Sequence, residues 1–166
     1  MKSWTRSSIG DEVSFSTPED VHCKQVVLVL DAVLVPRFFR VLQSGIFLKV
    51  RLGESVNSLL STQLSLPLEW VGEKISTVFL DGSPVDDLDQ ARIKEGCTLA
   101  LSSSVPGLAG ATMRRKGFYA ALRNSITHKA DQKRTPQKEG FFKLKLFSLV
   151  MAELGPIFLS RGVYLR

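Results

Sequence analysis

Between residues 46 and 101 the spacing of apolar residues changes from a strand period to a helix period and back, and few folds accommodate that order. Residues 46–52 (IFLKVRL) place Leu48, Val50 and Leu52 on one side of a strand and Lys49 and Arg51 on the other. Gly53 and Glu54 turn the chain, and Ser55 is a good helix N-cap. Val56, Leu59, Leu60 and Leu64 then form one helical stripe, which Pro67 ends. Residues 74–80 (KISTVFL) read as a second strand, with Ile75, Thr77 and Phe79 on one face. Asp81-Gly82 is a strong turn signal, Pro84 limits the next segment to a short edge strand, and Glu95-Gly96 turns the chain into a last strand at 97–101. With one more strand before Gly45, the order is hairpin, helix, hairpin. This predicts an α+β fold, a mixed sheet with one helix on its face.

The flanks are less regular. Residues 1–22 are Ser-rich and mixed in charge, read as a flexible N-terminal arm without the apolar stretch of a signal peptide. Residues 26–30 (VVLVL) predict a short buried strand, and 37–42 (RFFRVL) another. Residues 127–140 read as a charged linker. Beyond it Phe142, Leu144 and Leu146 alternate with Lys143 and Lys145 as a strand, and 147–154 predict a helix ended by Gly155 and Pro156. Phe158, Leu159, Val163 and Tyr164 are expected to pack back on the body. Charges interrupt every long apolar run, so no membrane span is predicted.

The run VFLDGSPVDDLDQARIKEGCTLALSSSVPGLAG resembles the second half of the sulfur-carrier β-grasp family. That family includes the small subunit of molybdopterin synthase and the thiamine-biosynthesis sulfur carrier. The matching places are residues 78–80, Asp81-Gly82, Val85, the turn at 94–96 and residues 98–101, and the resemblance over the hairpin, helix and hairpin order covers about a third of the chain. The resemblance implies a β-grasp (ubiquitin-like) domain over 23–110, followed by a basic, helical and strand-containing C-terminal extension over 111–166 that packs on the core. In the carriers a slim tail after the last strand ends in two glycines, and the terminal carboxylate takes the sulfur. Residues 104–110 (SVPGLAG) look tail-like, but there is no Gly-Gly, and 56 residues follow Gly110. The chain is therefore expected not to serve as a carrier as written. A precursor cleaved after Gly110 is the variant of that reading.

Residues 106–117 (PGLAGATMRRKG) are the most distinctive stretch. A helix is predicted over 112–126, with Met113, Tyr119, Leu122 and Ile126 on its apolar side. Gly107 and Gly110 before it, with Arg114, Arg115, Lys116 and Arg123, make a candidate site for an anion or an acidic partner. The alternative is a tight connector whose glycines permit a left-handed backbone. The stretch matches neither phosphate-loop pattern. Across the whole chain the net charge is +6, and ten Lys or Arg residues fall between 114 and 145. Phe118, Tyr119, Phe141 and Phe142 are interleaved with them, so nucleic-acid or phosphate-ligand binding stands as a second reading beside a protein partner.

No enzyme signature appears: the serines at 102–104 lack a nucleophile-elbow context. His22, His128, Cys23 and Cys97 form no metal motif or disulfide framework. Asp86, Asp87 and Asp89 fit turn chemistry better than metal ligation. The expectation is a non-catalytic, cytoplasmic protein-interaction module with no cofactor.

Overall fold

The computed structural model describes residues 24–29, 31–129 and 137–165. The chain divides into two units, residues 1–32 and 33–166. In the first, residues 24–29 have no regular secondary structure, and Val26, Val27, Leu28 and Val29 are exposed. The expected buried strand over 26–30 is thus corrected for its described residues, and Leu30 lies outside them, as does the arm at 1–22. Four β-branched or aliphatic residues in a row carry no alternation, so nothing in them selects a face to bury.

The second unit is an α+β structure around a five-stranded mixed sheet. Its strands are β1 (Ile46–Arg51), β2 (Thr77–Leu80), β3 (Ser83–Pro84), β4 (Thr98–Ser102) and β5 (Glu139–Phe147), in the order β1-β5-β4-β2-β3. β5 runs antiparallel to β1 and parallel to β4; β2 is antiparallel to both β4 and β3. The alternation predicted at the C-terminal strand holds: Phe142, Leu144 and Leu146 are fully buried, while Phe141, Lys143, Lys145 and Phe147 face the other way, half-buried. Burying each of the three stabilises the fold by about 2 kcal/mol.

One expectation about the sheet is corrected. The strand predicted over 37–42 is instead a 3-10 helix (Ala32–Phe38) leading into α1 (Phe39–Ser44). Leu42 is fully buried, and Phe39 and Val41 pack against the core, a helical spacing that the sequence of β-formers had masked. The antiparallel neighbour of β1 therefore comes from β5, and the segment read as an extension supplies the strand between β1 and β4.

Ser55 caps α2 (Val56–Ser58) as predicted, its hydroxyl accepting from the Ser58 N–H at 3.1 Å. The predicted stripe of Val56, Leu59, Leu60 and Leu64 is buried. A π-helical turn (Leu59–Gln63) continues it and turns the Gln63 amide onto Arg51, accepting from its N–H at 2.8 Å and donating to its carbonyl at 3.0 Å. After Pro67 a further helix, α3 (Leu68–Lys74), precedes β2. Asp81 and Gly82 both take positive φ, 48° and 80°, giving the tight turn between β2 and β3.

The final helix, α5 (Ser148–Arg161), runs through Gly155 and Pro156, where a stop was predicted. Gly155 is a packing requirement: a Cβ there would press on Leu42 and Phe39 of α1. Val150, Leu154 and Phe158 anchor α5 on the core, and Gly162, at φ 87°, ends it.

Candidate functional site

The candidate residues follow β4, and the single helix predicted over 112–126 is replaced by two short ones. α4 (Gly107–Met113) comes first, then a turn with Lys116 at φ 53°, then a 3-10 helix (Phe118–Arg123). The fold-back has a clear cause. The Arg123 guanidinium donates from Nε to the Thr112 carbonyl at 2.6 Å and from Nη2 to the Arg114 carbonyl at 3.3 Å, satisfying the last carbonyls of α4. It also donates to the Thr127 hydroxyl at 2.9 Å and pairs with Asp86 at 2.6 Å. Its side chain is 2% exposed.

Arg115 is also committed within the fold. Its guanidinium donates to the Ile75 carbonyl at 2.7 Å and to the Val71 carbonyl at 3.5 Å, capping the C-terminal end of α3 where a cation is favoured. Burial lowers its pKa from the ordinary arginine value, and Asp86 partly offsets that. Gly107 takes φ 74° at the start of α4. Gly110 is buried, and a Cβ on it would overlap the Val105 carbonyl. The tail-like reading of 104–110 is thereby corrected, since from Gly107 onward the chain is helical and its glycines serve close packing. Arg114 and Lys116 remain exposed, and the structure does not gather all six candidates on one surface.

The 3-10 helix turns out an unusual set of side chains. Its three-residue period puts Gly117, Ala120 and Arg123 inward, with Arg123 fully covered. The other two columns face solvent: Phe118 is 93% exposed, Leu122 75% and Tyr119 43%. Phe118 and Tyr119 meet edge to face at 5.1 Å. Ile126 and Leu108 are exposed as well. Tyr119, Leu122 and Ile126, expected on a packing side, are therefore on the outside. A segment that buries arginine and exposes phenylalanine inverts the usual partition.

The acidic trio does turn chemistry. Asp87 accepts from the N–H groups of Asp89 and Gln90 at 2.8 and 3.2 Å, and Asp89 accepts from Asn57 at 2.8 Å. Asp86 is the exception, and its pairing across 37 residues with Arg123 carries no local sequence signal. Among the described residues no cluster of His, Cys, Asp or Glu is placed to hold a metal ion, and no helix is long and apolar enough to cross a membrane. Comparison with protein-family models, curated proteins and solved structures found no match.

Proposed function

We propose that this chain is a non-catalytic protein-interaction module on a β-grasp (ubiquitin-like) sheet whose strand order is permuted. The sheet supports the fold reading. Counted from β5, the elements are an antiparallel pair (β5, β1), a helix (α2), a short antiparallel pair (β2, β3), and a last strand (β4) returning beside the first. That is the hairpin, helix and hairpin order, with its first strand taken from the far end of the chain.

The observation that carries the function is the inverted 3-10 helix. Phe118 and Leu122 stay largely exposed and Tyr119 partly so, on a helix anchored from beneath by the buried Arg123, which pairs with the half-buried Asp86. Large apolar and aromatic groups grouped on a surface mark protein contacts, and aromatic side chains supply much of the binding energy there. The helical path of Gly107 and Gly110 favours this role over sulfur-carrier chemistry, which uses a slim, free tail.

The test places a photo-crosslinking side chain at position 118 of the full chain in cells, with the exposed position Gln90 as control. A discrete protein adduct from 118, absent from 90 and suppressed by Leu122→Ser, is the expected result. Identical adducts from both positions would remove the reading.

A further inference from the structure

One face of the sheet, with Phe142, Leu144 and Leu146, lies in the core; on the other face aromatic rings alternate with lysines, and Thr77 and Ser102 at its end are buried. The strand registers fix this pattern. Lys49 stands beside Phe141, Phe47 beside Lys143 and then Thr98, and Lys145 beside Ala100 and then Phe79. The Lys143 ammonium lies 5.6 Å from the centroid of the Phe47 ring, and Tyr164 meets Phe141 edge to face at 5.1 Å.

The carboxylates bordering this face are already engaged. Glu139 pairs with Lys49 at 2.8 Å, Glu95 accepts from the Phe141 N–H at 3.0 Å, and Asp81 accepts from the Thr98 N–H at 2.7 Å. Among the described residues neither Lys143 nor Lys145 has an ion-pair partner.

We infer that the lysine-and-aromatic part of this face binds single-stranded nucleic acid, as a site separate from the 3-10 helix and independent of its proposed role. Lys143 and Lys145 are two residues apart on one side of a strand, on the order of 6.6 Å, the scale of neighbouring phosphates along an extended strand. Between Lys145 and Phe79 stands the small Ala100, a gap between two large side chains. Bases lying in it stack on Phe79 while the backbone follows the lysines, a combination that favours nucleic acid over an acidic peptide. Rings half-buried in a sheet face meet bases only where these are unpaired, so single strands are favoured over a duplex.

The experiment is fluorescence anisotropy of the full chain with labelled oligothymidylate and oligouridylate of about twelve nucleotides, a length within the usual site sizes. The same-length duplex and polyglutamate serve as comparison probes, at two salt concentrations. Lys143→Gln with Lys145→Gln is expected to weaken single-strand binding at least tenfold and to flatten the salt slope by about 1.4. Phe79→Leu keeps apolar bulk without a ring, and is expected to weaken binding roughly tenfold at an unchanged slope. Thermal melts followed by circular dichroism confirm that each variant folds. No single-strand binding at low salt overturns the inference. So does equal affinity for duplex or polyglutamate, or a loss caused by Arg114→Ala with Lys116→Ala and not by the sheet variants.

Discussion

The guanidinium of Arg123 and the carboxylate of Asp86 meet at 2.6 Å beneath a 3-10 helix whose large apolar side chains point away from the body. The same guanidinium holds the Thr112 and Arg114 carbonyls, so one side chain fixes the end of α4 and the helix that follows it. Arg123→Ala removes the donor to the Thr112 carbonyl and the charge partner of Asp86, which keeps only the Lys116 N–H, and is expected to destabilise this segment by about 2 kcal/mol. Arg123→Lys, lacking the forked geometry, recovers little of that. Hydrogen exchange at Ala120 and Thr127 reads the local loss; unchanged protection in Arg123→Ala would contradict the assignment.

Gly107 and Gly110 separate two reasons for a glycine. At Gly107 the backbone is left-handed but space is open, so Gly107→Ala is expected to lose about 1 kcal/mol. At Gly110 a Cβ runs into the Val105 backbone, which cannot rotate away, and Gly110→Ala is expected to lose about 3 kcal/mol or more. Urea denaturation of both variants checks the order. Equal losses would mean that the close approach of α4 to Val105 relaxes easily.

The sequence made legible what depends on neighbours along the chain. The Ser55 cap, the stripe on α2, the Asp81-Gly82 turn and the alternation of β5 each follow from a local period or a turn residue. α3 left its signals too, with Pro67 at its start, Glu69 in its first turn and Lys74 in its last. The strand pattern immediately after outweighs them. Three features were not legible because distant partners decide them. Phe39 and Leu42 are helical because they meet Gly155, the chain doubles back at 114–117 because Arg123 reaches Asp86, and β5 joins the sheet between strands far earlier in sequence. The two sheet edges show the same contrast. Pro84 blunts one from its own position, whereas the other is closed by Gln63 at Arg51 and by Tyr164 at Phe47.

Cys97 gives a pH dependence of known sign. Burial pushes its thiol up from 9.0 to about 11, with the Lys94 backbone hydrogen bond opposing the shift. A raised folded-state pKa means that the unfolded chain loses the proton first. The stability contribution is complete below pH 9 and is lost as pH rises toward about 11. Its size is on the order of 2 kcal/mol. Cys97→Ala should flatten the fall of stability between these pH values relative to the parent chain. A thiol-labelling rate in the native protein at pH 8 equal to that of the unfolded chain would contradict the burial of Cys97.

The placement of β5 makes the strongest demand on the chain. It lies between β1 and β4, pairing with β1 from Ile46↔Leu144 to Arg51↔Glu139 and with β4 from Thr98↔Lys143 to Ser102↔Phe147. Removing it separates β1 from the rest of the sheet and uncovers the apolar surface under Phe142, Leu144 and Leu146. A chain ending at Lys129 is therefore expected not to fold, although it keeps every residue of the family-like stretch. Adding a peptide of residues 137–166 in trans should restore ordered structure, because the missing strand has two partners waiting for it. The two chains mixed and followed by circular dichroism and by amide resonances of β4 give the readout. A folded chain ending at Lys129, with β4 amides already protected, would show that β1–β4 form a complete sheet on their own and that β5 is only added to it.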